Sequence, residues 1–480
     1  MTSSNTFITL HWFRQDLRLS DNPAFLDACQ SGSVIPVFIL DDKTPGDWTM
    51  GAASRWWLHR SLTQLNESLG GKLVIRKGRS ESVLSELIRQ SGAKKVTWNR
   101  SYEPFAITRD TEIKKSLKAD GLEIETFNGR LLWEPWTVQK PDGTPYKVFT
   151  KFFRNGCLNA EAPRFPLKAP REITFAQHDL EMPAVESLEL QPKQNWTLTQ
   201  EPSWQPGEKG AWHQLDLFLE NGLANYKKGR DFPSLLSTSR LSPHLHFGEI
   251  SPNQVWHRIM TLAGSEGLDK NMDHFLMELG WREFSYSLLY YNPELPRKNI
   301  QPKFDGFPWR SDPIALKAWQ KGQTGIPIVD AGMRELWKTG YMHNRIRMVV
   351  ASFLTKNLLI HWHEGEDWFW DTLVDADLAN NSASWQWVAG CGADAAPYFR
   401  IFNPVTQGHR FDPDGEYVRH WVPELSKLDT KYLFSPWEAD EATLQAAGVT
   451  LGKTYPKPMA DLKASRGAAL AAYEEIKATA

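Results

Sequence analysis

The stretch FITLHWFRQDLRLSDNPAFLDACQSGSVIPVFIL, residues 7–40, decides the fold class because two apolar runs enclose an amphipathic segment. Further short runs rich in β-branched and aromatic residues follow at KLVIRKG (72–78), KVTWNR (95–100) and LEIETF (122–127). Apolar residues at helical spacing occupy 54–69 and 80–90 between them. This alternation predicts an α/β Rossmann-like domain with a buried parallel sheet. The GxGxxG fingerprint is absent, so a dinucleotide held by that motif is unsupported in this half.

The second half of the chain has a different pattern. From about residue 155 to 207 the sequence is rich in Pro, Gln and Glu and lacks a sustained period, which is typical of a connector. Beyond it, helical periodicity dominates, as in MDHFLMELGWREFSYSLLYY (272–291). We therefore predict an α/β domain over 5–135, a linker over 136–207 and a mostly α-helical domain over 208–480.

The composition narrows the class of protein. A chain of 480 residues with 41% hydrophobic and 23% charged residues suits two globular domains. Cys29, Cys157 and Cys391 lie far apart without a CxxC pair, so neither a disulfide framework nor a cysteine metal site is supported. No leader and no long apolar stretch is visible, which predicts a cytoplasmic protein without a membrane segment. The net charge of -2 does not indicate DNA binding over the whole surface, although a local basic rim is compatible with it.

Tryptophan is unusually frequent. The 22 Trp nearly match the 24 Phe and outnumber the 12 Tyr. For any single Trp, filling a core is the preferred interpretation, and only position can overturn it.

Two histidine-containing stretches are candidate metal sites that the spacing does not support. HWHEGED (361–367) lacks the HExxH spacing, and we predict a solvated charged turn there. His244 and His246 have no third ligand nearby in sequence, so a structural role is preferred. No metal is predicted.

Three predicted helices carry polar or tryptophan side chains among residues that are otherwise typical of a hydrophobic core. Glu278 and Trp281 share one helical face, as do Asn344 and Met348. Trp385 and Trp387, two residues apart, turn to opposite sides if they are helical. A boundary helix with its Trp packed inward is an equally good interpretation of the first pair on its own.

Five segments, in order and at similar separations, resemble signature segments of the photolyase/cryptochrome family of blue-light flavoproteins. They are HWFRQDLRLSDNPAF (11–25), TSRLSPHLHFGEIS (238–251), ELGWREF (278–284), MHNRIRM (342–348) and WQWVAGCGADAAPYFRIFNP (385–404). The resemblance spans nearly the whole chain. It implies that the first domain binds an antenna chromophore and that the helical domain holds FAD.

The resemblance implies FAD, active as FADH⁻, and assigns its contacts by matching positions. Positions matching those that hold the phosphates and ribitol are Tyr226, Thr238, Ser239, Arg240, Leu241 and Ser242. Positions matching those around the flavin ring are Phe275, Arg347, Asp375, Ala376, Asp377 and Asn381. Among these, Arg347 matches the arginine that pairs with Asp375, and Asn381 matches the side chain that faces flavin N5.

The implied activity is light-driven repair of cyclobutane pyrimidine dimers in DNA, a carbon–carbon lyase reaction in which excited FADH⁻ donates an electron to a flipped-out dimer. Trp281 and Trp387 match the indoles that stack on the extruded bases, and Glu278 matches the carboxyl that bonds the pyrimidine edge. Asn344 matches a second polar contact and Met348 an apolar wall. The DNA-binding positions at the rim match Arg230, Arg345 and Gln407. Trp385, Trp362 and Trp309 match the chain of indoles that passes electrons to oxidised flavin.

Three related activities are alternatives. Enzymes that repair the (6-4) photoproduct carry histidines at the positions of Asn344 and Met348, which disfavours that activity here. The iron–sulfur branch needs four cysteines, and this chain has three. A cryptochrome, a light sensor without repair activity, often carries a long C-terminal extension, whereas we expect this chain to end in a single helix resembling the closing segment of the family.

The resemblance also predicts partners and location. We expect a second antenna chromophore of the folate or deazaflavin type, pyrimidine-dimer DNA as the partner and a monomeric protein. We expect the protein to associate with the nucleoid when bound to DNA. Tyr341 and Phe275 are departures, since many relatives have Trp at the first position and Trp or a polar residue at the second.

Overall fold

The computed structural model describes residues 7–192, 196, 204–395, 397–398 and 400–478. The chain forms two compact units. Unit 1 takes the described residues of 1–194, 202–220 and 239–293, and unit 2 takes those of 195–201, 221–238 and 294–480. This division does not follow the predicted boundaries at 135 and 207, which stay a prediction. Part of the predicted linker, 193–195 and 197–203, lies outside the described residues.

Unit 1 contains a parallel sheet of five strands in the order β3-β2-β1-β4-β5. The strands are β1 (Ile8–Phe13), β2 (Ser33–Leu40), β3 (Val74–Lys77), β4 (Lys95–Asn99) and β5 (Glu123–Phe127). Leu10 of β1 pairs with Ile35 of β2 and with Val96 of β4. Every residue of β2 is buried, because a parallel strand with helices on both faces has no solvent side. The predicted strands and the α/β class are confirmed.

The helices of the chain are, in order, α1 (Pro23–Ser31), α2 (Ala52–Ser68), α3 (Ser80–Ser91), α4 (Pro104–Ala119), α5 (Phe149–Lys151), α6 (Glu208–Asn221), α7 (Tyr226–Gly229), α8 (Ser242–His246), α9 (Pro252–Met260), α10 (Asp269–Tyr291), α11 (Pro313–Gln320), α12 (Pro327–Thr339), α13 (Asn344–Ser352), α14 (Trp362–Thr372), α15 (Leu378–Ala389), α16 (Pro404–Phe411), α17 (Glu416–Trp421), α18 (Thr430–Leu433), α19 (Glu441–Ala446) and α20 (Leu462–Ala478). In the described part of unit 2 helices account for nearly all regular structure, as predicted. No helix in the described residues is long and apolar enough to cross a membrane.

Each unit has its own hydrophobic core. In unit 1, Leu10, Ile35, Val74, Val96 and Ile124 from the five strands pack together. In unit 2, the core includes the indoles of Trp319, Trp362 and Trp385 together with Phe369 and Val350. Several of the frequent tryptophans are therefore core residues, the interpretation preferred for any single one.

Candidate active site

In unit 1, the middle of α10 carries Glu278 and Trp281, both half-buried. The Trp281 ring stacks on Phe149, with 3.8 Å between ring centroids and 13° between planes. Gly280 lies so close to Phe153 that a Cβ there would be 2.4 Å from the phenyl ring, so only glycine fits. The aromatic segment at 149–153 therefore fixes the orientation of the Trp281 indole.

The neighbouring Glu283 is a buried carboxyl that sequence reasoning did not single out. It accepts hydrogen bonds from the backbone N–H groups of Leu132 (2.9 Å) and Trp133 (3.2 Å) and from the guanidinium of Arg282 (3.0 Å). Burial raises the pKa of Glu283 to about 7, although these donors act in the opposite direction. Glu283 thus ties α10 to the segment after β5.

Residues 239–241, part of the set predicted to hold phosphates, lie in a constrained turn of unit 1. Arg240 has a φ of 52°, and its guanidinium lies 4.2 Å from the Trp204 ring centroid. The Ser239 carbonyl accepts from Gln214 Nε2 at 2.9 Å, and Leu241 is buried. α8 begins at Ser242 directly after this turn.

Other predicted flavin contacts sit on helices of both units. Phe275 in α10 packs on Phe218, with 4.7 Å between ring centroids, in unit 1. In unit 2 Tyr226 is buried at the start of α7, and the Arg230 guanidinium lies 5.4 Å from its ring centroid. Thr238 is half-buried in the loop that ends its segment of unit 2.

In unit 2, α13 begins at Asn344 and carries Asn344 and Met348 one turn apart. His343 caps the helix, because its Nδ1 accepts from the backbone N–H of Arg345 at 3.2 Å. Arg347 donates to the Met342 carbonyl at 2.7 Å and to Asp375 Oδ2 at 2.8 Å. The pairing of Arg347 with Asp375 that the resemblance implies is thus present.

The residues after Asp375 form the start of α15. Asp377 is the N-cap, and its Oδ1 accepts from the backbone N–H of Asn380 at 2.9 Å. Asn381 is buried and donates from Nδ2 to the Glu366 carbonyl at 3.0 Å. This bond makes Oδ1 the acceptor end of the amide available to a bound molecule. Ala376 is also buried.

Glu366, which the sequence did not mark as functional, lies beneath Asn381. Its carboxylate accepts from Ser382 Oγ at 2.6 Å and from Arg297 Nη1 at 3.3 Å. Burial raises the pKa of Glu366 to about 8, with Ser382 and Arg297 acting in the opposite direction. Glu366 thus contacts both the residue after Asn381 and, through its carbonyl, Asn381 itself.

The four tryptophans singled out in unit 2 differ in burial. Trp362 and Trp385 are fully buried, whereas Trp387 and Trp309 are half-buried. Trp385 and Trp387 lie in α15 and differ in exposure, as their spacing predicts. Trp362 donates to Asn299 Oδ1 at 3.0 Å, and His361 lies beside both Trp362 and Trp309, with centroid distances of 5.6 and 5.0 Å.

The predicted rim residues Arg345 and Gln407 are on α13 and α16. The guanidinium of Arg345 pairs with Asp231 at 2.6 Å. Arg230 precedes Asp231 in the chain, after the end of α7.

The predicted solvated turn at 361–367 is wrong. α14 begins at Trp362, and His361 caps it by accepting from the backbone N–H of His363 at 3.1 Å. Glu366 is buried because Arg297 and Ser382, both distant in sequence, supply its polar partners. Across the described ranges, no group of three or more His, Cys, Asp or Glu side chains is arranged to hold a metal ion.

The residues predicted to bind FAD and those predicted to contact the lesion are each divided between the two units. Unit 1 holds Ser239, Arg240, Leu241, Ser242, Phe275, Glu278 and Trp281, and unit 2 holds the remaining predicted residues. Their functional roles stay a prediction.

Comparison with known proteins decides the family. A family model described as DNA photolyase matches residues 9–171, and one described as the FAD binding domain of DNA photolyase matches 275–475. The chain is 49% identical to a deoxyribodipyrimidine photo-lyase of Agrobacterium fabrum over 99% of this chain and 100% of the relative. This chain belongs to the DNA photolyase family. The photolyase resemblance drawn from the five sequence segments is therefore confirmed.

Two further comparisons place the chain within the photolyase family. A crystal structure of a bacterial class III photolyase from Agrobacterium tumefaciens superposes with a TM-score of 0.95 at 48% identity, covering 99% of each chain. Cryptochrome-1 of Arabidopsis thaliana is 40% identical over 94% of this chain and 68% of that protein. The photolyase fold, an α/β domain with a parallel sheet and a helical FAD-binding domain, is thus shared with relatives that carry either name.

Proposed function

We propose that this chain is a deoxyribodipyrimidine photo-lyase that binds FAD and repairs cyclobutane pyrimidine dimers in DNA under blue light. The observation that carries this proposal is the start of α13, where Asn344 and Met348 share a face and neither is the histidine of (6-4) enzymes. The close similarity to a deoxyribodipyrimidine photo-lyase over the whole chain supports it.

The residues present fit FAD. Half-buried Arg347 pairs with buried Asp375, and the amide of Asn381 has Oδ1 as its acceptor end. His343 Nε2, and Gln407 Oε1 at a position assigned to DNA, are buried polar atoms without a partner among the described residues, which is expected where bound molecules supply the partners. The chemistry that the flavin supplies when bound is light-driven donation of one electron to the dimer and its recovery.

The side chains of the protein position the extruded pyrimidine dimer. We assign Trp281 and Trp387 to stacking on the extruded bases, since a flipped base loses its neighbours and needs aromatic surface. Glu278 and Asn344 bond the polar edges of the pyrimidines, and Met348 forms an apolar wall. The stacking of Trp281 on Phe149 holds the indole ready before the lesion arrives.

The further assignments follow the same resemblance. Trp385, Trp362 and Trp309 carry electrons to oxidised flavin, and a second chromophore of the folate or deazaflavin type collects light. We also propose that the protein is a cytoplasmic monomer that joins the nucleoid when it binds damaged DNA. An absorption spectrum of the purified protein tests the second chromophore, and light scattering tests the monomer.

Illumination of the purified, reduced protein with DNA containing thymine dimers tests the main proposal. We expect blue light to restore thymines, with no restoration in the dark. Substitutions Glu278→Ala and Trp387→Ala should weaken repair or lesion binding while leaving flavin content unchanged. Absence of repair with reduced flavin bound would favour the cryptochrome alternative, which is consistent with the 40% identity to Cryptochrome-1.

A further inference from the structure

The guanidinium of Arg345, at the start of α13, is held on three sides within unit 2. Nη2 donates to Asp231 Oδ1 at 2.6 Å, and Nη1 lies 3.9 Å from the Met348 sulfur. The Arg345 Cζ atom lies 4.3 Å from the ring centroid of Phe411, the last residue of α16. An ion pair fixes one edge of the guanidinium and the aromatic ring fixes its plane, so its remaining N–H groups point in defined directions.

Asp231 is the carboxylate that pairs with Arg345, and a second carboxylate nearby, Asp375, pairs with Arg347. Arg230 precedes Asp231 in sequence, and Arg345 and Arg347 are on α13. His343 adds no positive charge at neutral pH, because burial lowers its pKa to about 4, with the nearby arginines acting in the same direction and Asp231 in the opposite one. The Asp231 side chain is 36% exposed and that of Arg345 is 19% exposed, so the pair lies at the surface of unit 2.

We propose that Asp231 is a positioning residue for recognition of the lesion. It holds the Arg345 guanidinium in the orientation that meets a phosphate of the damaged strand, and through the Arg345–Met348 contact it couples the rim to the wall of the lesion pocket. This inference rests on the proposed function, because it assigns a DNA contact to Arg345.

The carboxylate of Asp231 has opposite effects on two kinds of DNA. Undamaged duplex binds through electrostatic attraction that does not depend on the orientation of the arginine side chain. The negative charge of Asp231 therefore weakens that binding. A duplex with a dimer binds in one register, in which an oriented arginine contributes more than a mobile one. Asp231 therefore lowers the affinity for undamaged DNA and raises the preference for DNA that contains a dimer.

Equilibrium binding of the flavin-loaded protein to matched duplexes, with and without one thymine dimer, tests the proposal. In Asp231→Asn we expect undamaged DNA to bind about twofold more tightly and dimer DNA about three- to tenfold less tightly. Asp231→Glu should restore most of the preference, and Phe411→Leu should lower it without tightening binding of undamaged DNA. Asp414→Asn, which removes an exposed carboxylate in the turn after α16 without touching the Asp231–Arg345 pair, should leave the ratio of the two affinities unchanged.

The outcomes separate this inference from the proposed function. If Asp231→Asn tightens both duplexes equally, or leaves their ratio unchanged, Asp231 acts only as a charge or not at all, and the inference is overturned. If the wild-type protein shows no preference for dimer DNA, the proposed function itself fails. Flavin content and circular dichroism of each variant establish that it is folded.

Discussion

At the scale of single residues, burial sets the chemistry of the carboxyl groups near the predicted flavin site. Glu366 has no exposed surface and is held by Ser382 and Arg297 in unit 2. Asn381 depends on the carbonyl of the same residue for its orientation. Glu366 therefore orients Asn381 through its backbone carbonyl, while burial raises the pKa of its side chain.

The raised pKa of Glu366 predicts a pH dependence of stability. Because the folded pKa of about 8 exceeds the ordinary 4.5, the folded state retains a proton that the unfolded state has lost between these values. The free energy of unfolding should therefore fall as pH rises from about 5 to about 8, by on the order of a few kcal/mol from this residue.

Glu366→Gln should flatten this fall, and urea unfolding at several pH values measures it. Glu283→Gln in unit 1 is the matched comparison, because its folded pKa of about 7 confines its effect to lower pH. An unchanged pH profile in Glu366→Gln would contradict the buried, protonated carboxyl.

At the scale of elements, close packing of helices in unit 2 depends on small residues. In α14, a Cβ at Gly365 would lie 2.0 Å from Cη2 of Trp385, so α14 and α15 approach only because this position is glycine. Trp385 is the buried member of the two indoles in α15. The helix contact thus fixes where that indole can lie.

Gly365→Ala should destabilise the protein by about 1–3 kcal/mol, because overpacking against the indole exceeds the gain in helix propensity. Gly467→Ala in α20 is the control, since nothing lies within 4 Å of a Cβ there. This second change should stabilise the protein by up to about 1 kcal/mol. Thermal unfolding distinguishes them, and equal effects of both substitutions would contradict the packing argument.

At the scale of the whole molecule, a net charge of -2 limits how DNA can bind. The cationic residues assigned to DNA, Arg230 and Arg345, are few, and Arg345 is already paired with Asp231. If Arg230 and Arg345 supply the phosphate contacts, electrostatic contacts contribute less than in strongly basic DNA-binding domains, and recognition of the lesion contributes more.

The affinity for undamaged duplex should consequently depend weakly on salt. Two phosphate contacts give a slope of about -2 in a plot of log affinity against log salt concentration. Fluorescence anisotropy at several concentrations of potassium chloride measures it. A slope of about -6 or steeper would show a basic surface larger than the one assigned here.

The sequence by itself determined the sheet and the family. The strands at Ile8–Phe13 and Lys95–Asn99 agree with the predicted runs to within one residue, because parallel strands buried on both faces leave continuous apolar segments. Spacing also placed Glu278 with Trp281 and Asn344 with Met348 on shared faces, since helical geometry is local. Spacing within one helix does not show which residues from other segments contact these side chains.

Only the tertiary structure decided the environment of those residues. The polar residues of HWHEGED (361–367) predicted a solvated turn, yet Glu366 is buried. Its carboxylate accepts hydrogen bonds from Arg297 and Ser382, which belong to other segments of the chain. Asp231 meets Arg345 across 114 positions, and Trp281 stacks on Phe149 from another segment. Local periodicity records which face of an element is apolar, whereas burial, pairing and pKa depend on groups that only folding brings within a few ångströms.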